Sequence, residues 1–285
     1  MMADPPLTSA DERAHPPGTE PDWEESWYFD FVSTDGRLGG YARLALRPHD
    51  GRAWWWSAVV GIDLPYVLVR EHEVDPPRPG TFEIRAPGLW AEPVCETPFE
   101  HWGVGLEAFA VALDDPVDAY GDERGHPVPL GLDVEWEPRA GPAVWPRRCG
   151  RSRYAQAAAV HGEVLLGRER LPLEGMGSTE HAWGPRAWWS SAPAAGWVAG
   201  TAGSEAVGPG PDVSAELSLD GRRLLSGGRV AAPGGFVATL TPVRHAPLRI
   251  PAPDGRGSRL ARALCRLDAS DGRSGWAWAE RLQPA

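Results

Sequence analysis

The sequence predicts an antiparallel all-β protein made of two packed units, each a barrel or a sandwich. Two observations carry this. Asp-Gly-Arg recurs at 35–37, 50–52, 220–222, 254–256 and 271–273, usually between short apolar runs. Asp-Gly favours the positive φ angles of tight hairpin turns, here expected as type I′. Several segments also alternate with period two. In "LGLDVEWE", Leu132, Val134 and Trp136 share one face, and Asp133, Glu135 and Glu137 the other. That is the pattern of a strand with one wet face.

Along the chain, residues 1–22 are rich in Pro and charge and are expected to be a disordered tail. "YVLVREHEV", "TFEIRA" and "GWAWAERL" suit strands. "DVSAELSLD" turns Val213, Ala215, Leu217 and Leu219 one way. Leu260, Leu264 and Leu267 fit a helix face as well as a strand. "EPRAGPAVWPRRCG" (137–150) breaks the pattern with Pro, Gly and Arg, which predicts a boundary there. The units expected are 23–140 and 150–285. "EHWG" at 100–103 and "EHAWG" at 180–184 suggest a duplication.

Composition excludes several functions. All 28 basic residues are Arg, so lysine nucleophiles, Schiff-base lysines and P-loop lysines are ruled out. There is no Asn, hence no N-linked glycosylation. A net charge of −11 argues against nucleic-acid binding. Three scattered cysteines without a CxxC pair predict a reduced, cytoplasmic protein. No signal peptide and no apolar run of membrane-spanning length is visible. Oligomeric state is not legible.

Fifteen tryptophans are the strongest feature. Neighbours on a strand point to opposite faces, so Trp54-Trp55-Trp56 and Trp188-Trp189 cannot all face one core. Some must face a pocket or an interface between units. In "GSTEHAWGPRAWWSS" (177–191), Glu180, His181, Trp183, Arg186, Trp188 and Trp189 crowd together. This segment is expected to wall an apolar cavity between the units. Trp102 and Trp55 are expected to add to its lining. Arg186 would clamp a ligand carboxylate or pair with an acid. Glu180 and Glu100 are candidate proton donors, since a carboxyl beside indoles loses solvation and its pKa rises. Asp30, Glu96, Glu107 and Glu216 compete with them. His101 and His181 could orient water or return a proton, and a Glu180–His101 cross-strand pair is conceivable. Histidine spacing, with no HxH and no HExxH, predicts no metal site, and no cofactor is expected. Serine hydrolysis is unsupported without G-x-S-x-G.

The order "WYFDFVSTDGRLGGYARLALRP", "ETPFEHWGVGLEAFAVALDDP", "PLGLDVEWE", "VHGEVLLG" and "GMGSTEHAWGPRAWW" resembles an actinobacterial family related to the hydroxyneurosporene synthase (carotenoid 1,2-hydratase) and AttH-like group. The resemblance covers about residues 27–190. It implies two lipocalin-like β units and an apolar isoprenoid or polyene substrate. It also implies hydration or cyclisation begun by protonating an alkene. The family motif is expected near R-D-H-S-W-G-x-R-D-W-W. Here Thr179, Glu180, Ala182 and Ala187 stand at its variable places, and the lost acid at 187 puts a family-typical acid role there in question. Three readings follow. Acid-initiated chemistry requires a pocket carboxyl without an Arg partner. A non-catalytic carrier of hydrophobic small molecules predicts that every pocket acid is paired or exposed. Sugar binding predicts tryptophan faces along an open groove.

Overall fold

The structure is a computed structural model that describes residues 6–189, 196–252 and 255–284, the last residue by its backbone only. It contains two antiparallel sheets. The first is built from β1 (Trp23–Ser33), β2 (Leu38–Arg47), β3 (Arg52–Gly61), β4 (Leu64–Val74), β5 (Ile84–Ala86), β6 (Leu89–Thr97), β7 (His101–Leu113), β8 (Gly125–Pro138), β9 (Ala143–Val144), β10 (Ser152–Leu166) and β11 (Glu169–Pro185). Its order is β4-β3-β2-β1-β11-β10-β8-β7-β6-β5, with β9 beside β10. Tyr66–Leu68 of β4 also pairs with Val111–Leu113 of β7, which brings the sheet round on itself as a barrel. The second sheet holds β12 (Trp197–Ala202), β13 (Glu205–Val207), β14 (Ser214–Leu219), β15 (Leu225–Ala232), β16 (Phe236–His245), β17 (Leu248–Pro251), β18 (Gly257–Ala269) and β19 (Ser274–Pro284). Among the described residues no helix is long and apolar enough to cross a membrane.

Strand periodicity distributes the large side chains over three cores. Trp27, Phe29, Phe31, Trp55 and Trp136 fill the barrel interior. Tyr28, Val32, Trp54, Trp56, Trp188 and Trp278 fill the space between the two sheets. Leu217, Val230, Leu240 and Leu267 lie on the far face of the second sheet. The Trp54-Trp55-Trp56 run therefore divides as alternation requires. β1 is buried on both faces, and its acids Glu24, Glu25 and Asp30 are buried with it. Leu260, Leu264 and Leu267 lie on a strand, β18, with the first two facing the inter-sheet core and the third facing away.

The Asp-Gly-Arg segments are turns, but of a different type from the one expected. Gly36, Gly51, Gly255 and Gly272 have φ between +61° and +89°, and each N–H closes a turn on the residue three before it. Asp35, Asp50 and Asp271 keep negative φ. This matches a type I turn ending in a left-handed glycine. At 220–222 the positive φ falls on Arg223 instead. Asp254 lies outside the described residues.

Two further expectations are corrected. The division between units does not fall at 137–150. That stretch is a connection within the first sheet, because β10 pairs with both β8 and β11, and β11 with β1. The first sheet ends at Pro185 and the second begins at Trp197. A Pro/Gly run marks a loop but cannot tell a hairpin from a domain boundary. The two Glu-His-Trp-Gly echoes accordingly lie in one sheet. The segment 6–22 is also ordered. Thr8 and Asp11 close a short 3-10 turn over Ser9–Glu12, and Glu12 is 3% exposed. Glu12 accepts from the Trp102 indole and the Phe99 amide, both at 3.0 Å. Composition predicted disorder because the segment has little apolar area, yet its charged groups find fixed donors at the barrel end. Residues 1–5 lie outside the described residues.

Candidate functional site

β11 is the wall shared by two sites. On it Thr179, His181 and Trp183 follow the barrel face, while Glu180 turns toward the second sheet; across the ladder His181 meets Trp27 and Glu180 meets Tyr28. Between the sheets lies a cavity of about 450 Å³. Tyr28, Trp56, Trp188, Trp197, Leu260 and Leu282 give it apolar surface. Six arginines also line it, Arg43, Arg148, Arg151, Arg153, Arg186 and Arg262, against two acids, Glu180 and Glu280. The cavity thus carries a formal excess of four positive charges in a chain of net charge −11. The apolar cavity expected between the units is there, but its lining is strongly cationic.

Every acid at this cavity is paired. Glu180 binds Arg153, and Glu280 binds Arg262. Behind the wall, fully buried Glu24 bridges Arg43 at 2.5 Å and Arg47 at 3.1 Å and accepts from the Trp188 indole at 2.6 Å. Burial alone would raise the Glu24 carboxyl. Arg43, Arg151, Arg186 and the Trp188 N–H overcome it and hold the group at about 2. Arg151 and Arg186 have no carboxylate partner among the described residues. Burial pushes both below the usual guanidinium value, and for Arg151 the neighbouring Arg186 adds to the shift. Arg186 lies over the Trp188 ring at 4.0 Å.

The donors are also undersatisfied. Tyr28 Oη, Arg43 Nη1, Arg151 Nε, Arg153 Nε, Trp197 Nε1, and Arg262 Nε and Nη1 are buried without a hydrogen-bond partner among the described residues. All belong to residues that line this one cavity. A buried donor left unpaired costs about 1–3 kcal/mol, so these residues are held around the cavity at a cost in stability. Asp30 is a different kind of acid. It is 2% exposed and does not line the cavity. It accepts from the Ser178 amide at 2.9 Å and hydroxyl at 2.7 Å. Burial raises it to about 7, restrained by Ser178 and Arg262.

The predicted site residues scatter over several places. Glu180, Arg186 and Trp188 line the cavity. Trp189 packs on the inter-sheet core, its indole N–H without a hydrogen-bond partner among the described residues. Trp55 is wholly inside the barrel core, facing away from the cavity. Glu100 lies exposed in a turn. His101 opens β7 on the outer surface, between Glu135 at 3.1 Å and Glu96 at 3.5 Å. Glu180 and His101 do not meet. Trp102 faces the barrel end, bonded to Glu12.

His181 and Trp183 belong to a second cluster, at that end. His181 Nε2 and His15 Nδ1 approach the same oxygen, Glu25 Oε1, at 2.9 and 2.6 Å. Trp183 stacks on His15 with centroids 4.0 Å apart. Burial would raise the Glu25 carboxyl; His15 and His181 beside it together outweigh that and hold it below its ordinary value.

Arg43, Arg151, Arg153, Arg262, Trp197 and Glu24 were not singled out from the sequence. The signal existed for two of them: "YARLAL" and "LARALC" each set a lone arginine, Arg43 and Arg262, inside an apolar strand.

Solved structures share this fold of two antiparallel sheets. The crystal structure of CghA with Sch210972 matches with a TM-score of 0.58 at 13% identity, covering 93% of this chain and 89% of that one. A Nitrosomonas europaea protein described as an AttH matches with a TM-score of 0.57 at 12% identity, covering 92% of each chain. At such identities the likeness establishes the fold. The chain belongs to the family described as domain of unknown function DUF7064, whose model matches residues 8–234. No curated protein matches it by sequence.

Proposed function

We propose that this protein is an enzyme acting on a small amphipathic molecule in the cavity between its units. The substrate has an apolar body of isoprenoid or polyene kind and a carboxylate or conjugated-carbonyl head. The observation that carries this reading is one cavity lined by aromatic and aliphatic side chains together with six arginines against two acids. Trp56, Trp188, Trp197, Leu260 and Leu282 suit the body, and Arg151, Arg186, Tyr28 and Arg262 suit the head. CghA, which shares the fold, carries Sch210972 in its crystal structure, and this supports a small-molecule ligand.

The lining favours chemistry that builds negative charge on oxygen, such as conjugate hydration or cyclisation of an activated polyene. It disfavours the carbocation route begun by Glu180 or Glu100. A cation about 5 Å from one unpaired guanidinium is repelled by about 3 kcal/mol at an effective dielectric of 20. Glu180 is paired, and Glu100 is on the surface. Pairing of every cavity acid also supports a second reading, a non-catalytic carrier of such acids. The test compares a polyene carboxylic acid with its hydrocarbon counterpart by tryptophan quenching, and looks for product by mass spectrometry. The acid is expected to bind at least about tenfold tighter, the worth of one charge-assisted hydrogen bond. Arg151→Met and Arg186→Met should abolish that preference. Equal binding of acid and hydrocarbon would refute the anionic head. Binding without product would favour the carrier.

A further inference from the structure

His15, Glu25 and His181 come from three separate places: the N-terminal segment, β1 and β11. Their ligand atoms lie within 4.8 Å of one another. The hydrogen-bond roles are what make the cluster informative. His181 Nδ1 faces the Asp11 carbonyl oxygen at 2.7 Å. The Tyr154 hydroxyl is also 3.3 Å from Nδ1, but the carbonyl is nearer and can only accept, so Nδ1 bears the hydrogen, and in the neutral ring Nε2 is a bare lone pair. That lone pair points at Glu25 Oε1, another acceptor, 2.9 Å away. Two acceptors hold that separation only with positive charge between them, either a proton or a metal ion.

His15 repeats the pattern. Its Nδ1 is 2.6 Å from the same Glu25 oxygen, while its Nε2 faces Asp11 Oδ1 at 3.3 Å. An imidazole whose far nitrogen donates to a carbonyl or carboxylate is the arrangement that orients metal-bound histidine. Here both imidazoles have it, and both partners are on Asp11.

We propose that His15, Glu25 and His181 bind a first-row divalent cation of the zinc class and so clasp the N-terminal segment onto the barrel. Two imidazole nitrogens and one carboxylate suit such an ion. Bonds of about 2.0–2.2 Å place tetrahedral neighbours roughly 3.3 Å apart. The two nitrogen–oxygen gaps, 2.6 and 2.9 Å, need to open by less than about 1 Å to admit it. Trp183 stacked on His15 and Trp27 stacked on His181 shield the site, which strengthens the attraction between carboxylate and ion. The site lies on the face of β11 opposite Glu180, so it stands apart from the inter-unit cavity. Histidine spacing could not reveal it, because its ligands are 10 and 156 residues apart.

The test uses the full chain, stripped with EDTA, dialysed and titrated with zinc chloride by calorimetry. Bound metal is counted by mass spectrometry, and cobalt(II) serves as the absorption probe. The expected result is one zinc per chain, with cobalt bands of nitrogen and oxygen ligands and no thiolate charge transfer. His15→Gln, on the outer segment, should keep the fold by circular dichroism and weaken zinc by more than about 100-fold, beyond what loss of a second-shell partner costs. Zinc should also slow tryptic cleavage at Arg13 in the wild type and not in the variant. The proposal is overturned by no bound equivalent, or by an equivalent that survives His15→Gln. A nitrogen NMR spectrum of the zinc-treated protein with hydrogens on both ring nitrogens of His181 would overturn it too, since the proton would then occupy the place assigned to the metal.

Discussion

Replacing Asp30 with Asn should make the protein more stable at pH 8 and leave it nearly unchanged near pH 4. Asn keeps the shape and the hydrogen bonds. Its oxygen can accept from the Ser178 amide, and its NH₂ can donate to the Ser178 hydroxyl, where Asp30 now accepts from both. What it removes is a titration. Burial raises the Asp30 pKa from 3.8 to about 7 in the folded protein. Between those values the native state holds a proton that the unfolded chain has released, so stability falls as pH rises, and the loss is complete above about 7. At 1.36 kcal/mol per pKa unit the whole effect is about 4 kcal/mol. About 1 kcal/mol of it has developed by pH 4.5, so the gap between variant and wild type should widen by about 3 kcal/mol from pH 4.5 to pH 8. Urea denaturation followed by tryptophan fluorescence at both pH values measures it. A gap that stays constant with pH would mean that Asp30 is ionised throughout, and the reasoning from burial would fail.

Glu24→Gln should cost about 3–5 kcal/mol at neutral pH, because Arg43 would be left buried without a carboxylate and Arg47 with only the half-exposed Asp50. Since the Glu24 pKa is depressed to about 2, its contribution is full above the unfolded value near 4.5 and is lost as pH falls from there toward 2; the variant's acid limb should be flatter. Trp55→Ala and Trp56→Ala should each cost about 3–5 kcal/mol by chemical denaturation, but only the second should weaken ligand quenching, because Trp55 points into the barrel and Trp56 into the cavity. Gly177→Ala should fail to give soluble protein or lose more than about 2 kcal/mol, since a Cβ there would lie 1.9 Å from the Asp30 carbonyl oxygen and the β1–β11 ladder would have to part.

Period-two alternation placed Leu132, Val134 and Trp136 correctly on the barrel core, and the Trp54-Trp55-Trp56 run was rightly read as serving two spaces. In both cases the strand pleat is a local rule. Glu180, Arg186 and Trp188 were legible because they sit close together in the chain on one wall of the cavity. Trp55, Glu100 and His101 were assigned to the same pocket because residue type was informative and direction was not. A one-residue step along β3 separates Trp55 in the core from Trp56 at the cavity. The cationic lining is not legible in the sequence because its arginines arrive from β2, the loop before β10, β10 itself, the end of β11 and β18, and only the fold brings them together.

The sequence by itself determined the strands, their turns and the presence of two apolar faces, because alternation and turn chemistry act over a few residues. It also excluded lysine chemistry by composition. Tertiary structure alone decided that β10 and β11 join β1 to β8 within the first sheet, that Glu12 and His15 lie packed against the barrel end, and that the cavity is positive in an acidic chain. Those outcomes depend on which distant groups become neighbours once water is removed. Burial and pairing then set their charge, and no spacing along the chain encodes that.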